Sequence, residues 1–330
     1  MSERHKVFVT GGTGFVGSHL VEELLQSGDE VTCLVRNDHK WLGGLDVRIV
    51  QGELSDKDLL RENLVDVDYV YHVAALTRGD SWSDFQRANI DGTTALVEAA
   101  AVTNSKIKKV LLTSSLAVVG DSTKEIATES SSLSPISKYG RSKVEMETKA
   151  SQLCEELGVP YVIVRPPSVY GPRERDIFTF FKTAQRGVGP FIGSGDEPEI
   201  SLVYVKDLVR GMIASAESTA TAGKIYFLGG REAHSWKEVI SATEAALGRR
   251  VRPLAIPQGL VQPIGGISEL VGRFTEAYPP LNREKAKEIL RACKMCSSDR
   301  AAKDFDYNPP TDILSGIRST IAWYRQEGWL

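Results

Sequence analysis

Val7-Phe8-Val9-Thr10-Gly11-Gly12-Thr13-Gly14-Phe15-Val16-Gly17 is an apolar run that ends in glycines and opens an amphipathic segment reaching about Gln26. The pattern predicts a strand, a sharp turn and a helix in direct succession. Gly11, Gly14 and Gly17 recur at every third position, where a chain must turn tightly, let backbone approach a ligand and pack a helix close to a sheet. The start of the helix offers unsatisfied N–H groups and the positive end of a dipole, which together suit a phosphate. Glycines also serve plain turns, and this chain has 29 of them. Placement between a strand and a helix makes the motif a dinucleotide cradle, with Gly11, Thr13, Gly14, Phe15 and Gly17 as candidate cofactor contacts.

Outward from this loop, strand-like and helix-like segments alternate. The strands are 6–10, 30–35, 46–51, 68–73, 108–113 and 160–164, and helical patterns lie near 14–26, 55–63, 83–103 and 136–157. Such alternation builds an α/β fold, a doubly wound parallel sheet of Rossmann type with helices on both faces. The chain has 330 residues, long for one compact unit. The expected division is an NAD(P)-binding domain over 1–165, to which 201–228 returns, and a smaller, mostly C-terminal α/β substrate lobe over 166–330. In that lobe 171–200, rich in Gly, Pro and charge, reads as a loop over the site. The stretch 254–278 is apolar enough to wall a substrate pocket or to pack on its own lobe. Residues 283–292 and 311–327 read as surface helices, with Trp329-Leu330 docking.

The net charge of -3 gives no electrostatic footprint for nucleic acid or an anionic membrane, so the expected partner is a small molecule. No apolar run reaches the length of a membrane span, and the first strand follows Met1-Ser2-Glu3-Arg4-His5-Lys6 with no room for a signal peptide. A cytoplasmic location is the expectation. Cys33 and Cys154 fall in apolar contexts, as reduced cysteines do. Cys293 and Cys296 form one C-x-x-C with neither a second pair nor a neighbouring His, so no metal site is expected.

In such sheets ligands bind just past the strands. The second strand ends in Val35, where an NAD-binding fold would place an acid for the ribose hydroxyls. Arg36 follows, with His39 and Lys40 beyond, and cations suit a 2'-phosphate. Arg36 and Lys40 therefore point to NADP; NAD is the alternative if these are solvated loop charges. After the third strand Ser55 is the expected helix N-cap, and Glu53 and Leu54 could border the adenine. After the fourth, His72-Val73-Ala74-Ala75 sets the small Ala74 and Ala75 where backbone could approach the cofactor. His72 reads as a satisfied core histidine.

The fifth strand ends in Thr113-Ser114-Ser115, and further on comes Tyr139-Gly140-Arg141-Ser142-Lys143. On a helix Tyr139 and Lys143 share a face. A phenol titrates near ~10, and lowering that by about three units takes roughly 4 kcal/mol. A cation about 4 Å away supplies roughly that much at an effective dielectric near ~20. The expectation is a Tyr139 depressed towards neutrality that exchanges a proton with an alcohol or carbonyl, while Ser115 bonds the same oxygen. Y-x-x-x-K alone arises easily by chance; its conjunction with Ser115 and the glycine loop does not.

Together these residues resemble the extended short-chain dehydrogenase/reductases, which include the NAD-dependent epimerase/dehydratases. The resemblance covers nearly the whole chain and rests on the glycine loop, His72–Ala75, Thr113–Ser115, Tyr139/Lys143, Arg165–Arg173 and Ser201–Asp207. It implies a Rossmann lobe holding NAD(P), with Tyr139 as acid/base, Lys143 on the nicotinamide ribose and Ser115 orienting the substrate oxygen. It also implies cofactor contacts at Pro166 and Ser168, and substrate contacts at Ser168 and Arg173. A homodimer through a bundle that includes the tyrosine helix is a further implication. Val144, Leu153, Cys154 and Leu157 fit one buried face of that helix, as an ordinary core would explain equally well.

Departures from the family pattern narrow the substrate. Leu116-Ala117 stand where the 4,6-dehydratases carry Asp-Glu, and Ile200 stands where nucleotide-sugar epimerases carry a phosphate-binding arginine. Arg173, Arg175 or Arg291 could take that arginine's place. With Val35-Arg36 and the ending Trp323–Leu330, the pattern is nearer the dihydroflavonol reductase and 3β-hydroxysteroid dehydrogenase branch. The expected reaction moves a hydride between nicotinamide and a secondary alcohol or ketone. The alternatives are a nucleotide-sugar 4-epimerase and a non-catalytic NAD(P)-binding sensor or scaffold. An intact Ser115/Tyr139/Lys143 set argues against the last, because a sensor needs no tuned phenol.

Overall fold

The fold is seen in a computed structural model that describes residues 4–79, 81–103, 106–120, 125–193, 195–263 and 283–330. Seven parallel strands form the central sheet: β1 (Lys6–Thr10), β2 (Glu30–Val35), β3 (Arg48–Gln51), β4 (Tyr69–His72), β5 (Lys109–Thr113), β6 (Tyr161–Arg165) and β7 (Lys224–Phe227). Their order is β7-β6-β5-β4-β1-β2-β3. Alternate side chains serve opposite faces. Phe8, Val70, Leu112 and Ile163 pack against α2 (Lys57–Asn63), α4 (Gly92–Thr103) and α5 (Lys138–Leu157). Val9, Tyr71, Leu111 and Val164 pack against α1 (Phe15–Ser27) and the helix Val205–Glu217. Burial on both faces explains why the strands read as near-continuous apolar runs.

The order reverses between β1 and β4, so a cleft opens beyond their carboxyl ends. The chain is drawn tightly together there. Gly11 adopts φ +77°, and a Cβ on it would sit 2.5 Å from the Ala74 nitrogen. A Cβ on Gly17 would sit 2.1 Å from the Gly11 oxygen.

Several expectations need correction. Of 201–228, the helix Val205–Glu217 packs on the central sheet and Lys224–Phe227 joins it as its edge; only Ile200–Tyr204 pairs elsewhere, with Ser168–Tyr170 and Ala233–His234 in a separate sheet. The expected loop 171–200 holds a helix, Phe178–Gln185, and a strand, Val188–Phe191. Its Phe181 and Phe191 join Tyr170, Ile317, Ile321 and Tyr324 in a third apolar cluster, so aromatic burial outweighs the Gly and Pro content. The helix Ile313–Gln326 buries one face in that cluster, and Trp329 stacks on Tyr324 with ring centroids 5.5 Å apart. Most of the apolar stretch 254–278 lies outside the described residues; Val261 is buried and Leu260 exposed.

Local starts and faces differ too. Asp56, not Ser55, caps α2, accepting from the Leu59 nitrogen at 3.0 Å, while the Ser55 hydroxyl turns to Glu53 at 3.5 Å. The helix expected over 83–103 is α3 (Trp82–Phe85), a π-helical turn Gln86–Asp91, and α4. On α5 the buried face runs through Lys143, Met146, Glu147, Ala150 and Cys154; Val144 and Leu153 are half-buried and Leu157 is exposed. The face is rotated because Glu147 makes a buried ion pair with Arg165 of β6, which a count of apolar positions misses.

Gly17→Ala is expected to lower stability by about 1–3 kcal/mol or more, because the added carbon meets backbone that must move. Gly43→Ala, whose Cβ would find nothing nearer than 3.8 Å, is the control and should be neutral or slightly stabilising. Urea unfolding measures both, and equal small effects would remove close approach as the reason for Gly17.

Candidate active site

The site is built on the carboxyl edge of the sheet. Gly14 is the N-cap of α1, in extended conformation, with no side-chain cap and no acidic residue in the first turn. Its nitrogen donates to the Gly11 oxygen at 3.0 Å. The exposed helix start, closed in by glycines whose Cβ atoms would fill it, fits the phosphates of a dinucleotide. Thr13 and Phe15 are half-buried in the same loop. Across it lies the half-buried Ala74, whose nitrogen donates to Thr10 Oγ1 at 3.4 Å, while Ala75 is exposed.

Behind this edge the polar groups form one connected set. Thr93 Oγ1 donates to the Asn89 oxygen at 2.7 Å, so it accepts from His72 Nε2 at 2.8 Å. His72 Nδ1 then accepts from Thr10 Oγ1 at 2.7 Å. Donor accounting thus assigns the Nε2–H tautomer. Burial, helped by the charge of Lys143, pushes the His72 pKa down to about 3, as a neutral core histidine requires. Asn89, in the π turn, accepts from the Leu76 nitrogen at 2.7 Å. Its amide donates to the Leu76 oxygen and to Ser142 Oγ, both at 2.9 Å. Ser142 Oγ in turn donates to the Tyr139 oxygen at 2.7 Å. Sequence reasoning missed Asn89. A π turn is a frequent mark of functional sites, but it has no signature in a 3.6-residue period.

Ser115, just past β5, stands near enough to Tyr139 to lower its phenol's pKa and caps the turn Leu116–Val118 through the Ala117 nitrogen at 3.2 Å. Gly140 permits this meeting, since a Cβ there would lie 2.6 Å from the Ala117 oxygen. One turn along α5, Lys143 Nζ donates to the Thr113 oxygen at 2.7 Å and stands 6.0 Å from the centre of the Tyr139 ring. The expected depression of the phenol is not found. Removal from water pushes Tyr139 up to about 12, with the Ser115 hydroxyl acting in the opposite sense and the Glu288 carboxylate adding to the rise. Burial brings Lys143 down to about 8 against the pull of Glu147. The ammonium is engaged by a carbonyl, and burial outweighs the Coulomb gain assumed from spacing alone.

The other candidates are scattered. Pro166 is buried, and its oxygen accepts from the Leu116 nitrogen at 2.9 Å, tying β6 to the Ser115 turn. Ser168 is exposed at the start of its strand. Arg36 and Lys40 are exposed beyond β2, and the Lys40 nitrogen donates to Asp38 at 3.0 Å. Glu53 is exposed and Leu54 half-buried against Gly92. Arg173 is directed to α1: its guanidinium bonds Ser18 at 3.0 Å and Glu22 at 2.5 Å and lies 4.9 Å from the Trp41 ring. Two hydroxyls at the β5 edge, Thr113 Oγ1 and Ser114 Oγ, are buried without a protein partner among the described residues. They are capacity that a hydroxyl-rich dinucleotide can use.

Residues 7–229 match the model of the NAD dependent epimerase/dehydratase family. The chain belongs to that family. Its members are NAD-dependent enzymes. Members similar along nearly all of this chain include a ceramide reductase of Caulobacter vibrioides, 28% identical over 99% of this chain and 96% of that protein. An uncharacterized UDP-glucose epimerase of Bacillus subtilis is 29% identical over 96% and 97%. A 3beta-hydroxysteroid-dehydrogenase/decarboxylase of Arabidopsis thaliana is 26% identical over 95% and 78%. Among solved structures, gox2253 superposes with a TM-score of 0.80 at 27% identity, covering 98% of this chain and 99% of that one. The UDP-glucuronic acid 4-epimerase of Bacillus cereus, in complex with NAD, shares the fold with a TM-score of 0.77 at 23% identity over 98% and 99%.

His72 gives this family member a measurable acid sensitivity. Its folded pKa of about 3 lies below the ordinary 6.5, so between those values the folded state holds fewer protons than the unfolded one. Stability from this group is complete above pH ~6.5 and declines as pH falls, by about 2 kcal/mol at pH ~5. Urea unfolding at the two pH values should show a loss in the wild type that exceeds that in His72→Asn by this amount. Parallel losses would mean that His72 is protonated as easily as in water.

Proposed function

We propose that this protein is an NAD(P)-dependent oxidoreductase that reduces a ketone to a secondary alcohol, or the reverse, with Tyr139 as the acid/base. The carrying observation is that Ser115, Tyr139 and Lys143 are brought together past the carboxyl end of β5, with Lys143 Nζ 6.0 Å from the centre of the Tyr139 ring. Bound NAD(P) supplies or accepts the hydride. The chain's own residues handle the oxygen. Ser115 and Tyr139 orient the carbonyl, and a phenol near 12 is protonated at neutral pH, ready to donate as the carbonyl oxygen becomes an alkoxide. The phenolate left behind is stabilised by the Ser115 hydroxyl and the Lys143 ammonium. In the oxidation direction the proton returns by the same route.

A mostly apolar substrate is the preferred class. Ile200 lacks the charge for a diphosphate, Arg173 is committed to Ser18 and Glu22, and Arg175 lies 5.5 Å from the Trp329 ring. Relatives named for ceramide and hydroxysteroid chemistry support the choice. The Bacillus relative named as a UDP-glucose epimerase favours a second reading, 4-epimerisation by the same tyrosine. Hydrophobic ketones and sugar nucleotides, assayed side by side, separate the two: an epimerase converts its sugar with no net change in the cofactor. A homodimer fits the exposed Val102 and Leu157 on α4 and α5. No helix among the described residues is long and apolar enough to cross a membrane.

Tyr139→Phe should lower turnover by at least about 100-fold and leave cofactor affinity within a few-fold. Near-normal activity would remove the acid/base assignment. NADP is the proposed cofactor. Arg36→Ala should weaken NADP by roughly 1.5–3 kcal/mol and change NAD little, as read by fluorescence titration. Equal losses for both would show that Arg36 does not read the 2'-phosphate.

A further inference from the structure

Beneath Tyr139 and Lys143 lies an ion pair that the reaction itself does not use. Glu147 follows Lys143 by one helical turn, on the same face of α5. Arg165 closes β6, and its Nε and one terminal nitrogen bond the two Glu147 oxygens at 2.9 and 2.6 Å. The side chains are only 2% and 5% exposed. The remaining Arg165 nitrogen has no partner among the described residues, and the guanidinium lies 5.5 Å from the Phe227 ring.

Stability is a poor reason for such a pair. Two buried charges lose their hydration, and apolar residues of similar volume often hold a helix to a sheet as well or better. What apolar residues cannot supply is a carboxylate one helical turn from Lys143. From α5 the groups around Lys143 are Tyr139 and Glu147; from β4 comes His72, held neutral; from β5 the Thr113 carbonyl; Arg165 of β6 is the partner of Glu147. Glu288 faces Tyr139 from the helix Arg283–Arg291. Burial pulls Lys143 towards neutrality, and Glu147 is the group that opposes it.

We propose that Glu147, one helical turn along α5 and clamped by Arg165, is a positioning residue that keeps the buried Lys143 an ammonium where it meets the Thr113 carbonyl. The clamp matters because an unheld carboxylate could turn away or take up a proton. The idea rests on the reading of Lys143 as the support of Tyr139, but its test reads Lys143 directly and needs no substrate.

In protein labelled with 13C at the lysine Cε, the Lys143 signal is assigned by its loss in Lys143→Arg and titrated by NMR. The full-length variants are Glu147→Gln, Glu147→Asp and the double variant Glu147→Gln/Arg165→Met, which leaves no bare guanidinium in the core. The Lys143 midpoint should fall by about one unit or more in the double variant and further in Glu147→Gln. Glu147→Asp should return it towards the wild type. Thermal unfolding of the double variant should stay within a few degrees of the wild type, which separates charge from packing. If Glu147→Gln does not fold, the double variant carries the test. A wild-type midpoint in the double variant would overturn the proposal and leave the pair as packing alone. A shifted midpoint together with an active Tyr139→Phe would instead sink the catalytic reading while Glu147 kept its effect on Lys143.

Discussion

One carbonyl oxygen, that of Gly11, dictates the spacing of the loop around it. The Gly14 nitrogen donates to it at 3.0 Å, and Cβ atoms on Gly14 and Gly17 would lie 3.2 and 2.1 Å from it. The three-residue interval between glycines is therefore the geometry of a chain wrapping one oxygen. Gly11 is itself pressed onto the backbone at Val73 and Ala74. The turn after β1, the start of α1 and the end of β4 meet at one point, so the cradle exists in the folded chain before any anion enters it.

From that point a neutral chain of hydrogen bonds runs through Thr10, His72, Thr93, Asn89 and Ser142 to the backbone of Tyr139. Hydrogen bonds of this kind gain strength in a low dielectric, provided every member is satisfied, and His72 satisfies both ring nitrogens without taking a charge. Charge is confined to the next layer, at Lys143, Glu147 and Arg165. The two ends of the site are thus joined by groups that do not titrate near neutrality.

The six strands up to residue 164 and their doubly wound parallel arrangement were legible because each depends on local period or on alternation of elements. What was hidden depends on burial. Glu147 and Arg165 are 18 residues apart, and no periodicity or motif joins them until helix and strand are stacked. The rise of the Tyr139 phenol is invisible to a spacing argument, which knows the neighbouring cation but not the lost water. Arg173 looked like a ligand group because its sequence neighbours do, yet its partners come from α1 and the loop after β2. Asn89 was missed because one extra residue in a helical turn leaves no mark on an amphipathic pattern.

The loop after β2 is held from the opposite end of the sequence. Trp41 lies under the Arg173 guanidinium and meets Trp323 edge-on with centroids 5.7 Å apart, and Trp323 meets Trp329 at 5.1 Å. These contacts are links in series. Through Trp41 the series reaches the segment that carries Arg36 and Lys40. The loop that follows Arg36 and Lys40 is therefore braced by side chains nearly three hundred positions away, so the end of the chain and the second strand's exit share one aromatic seam.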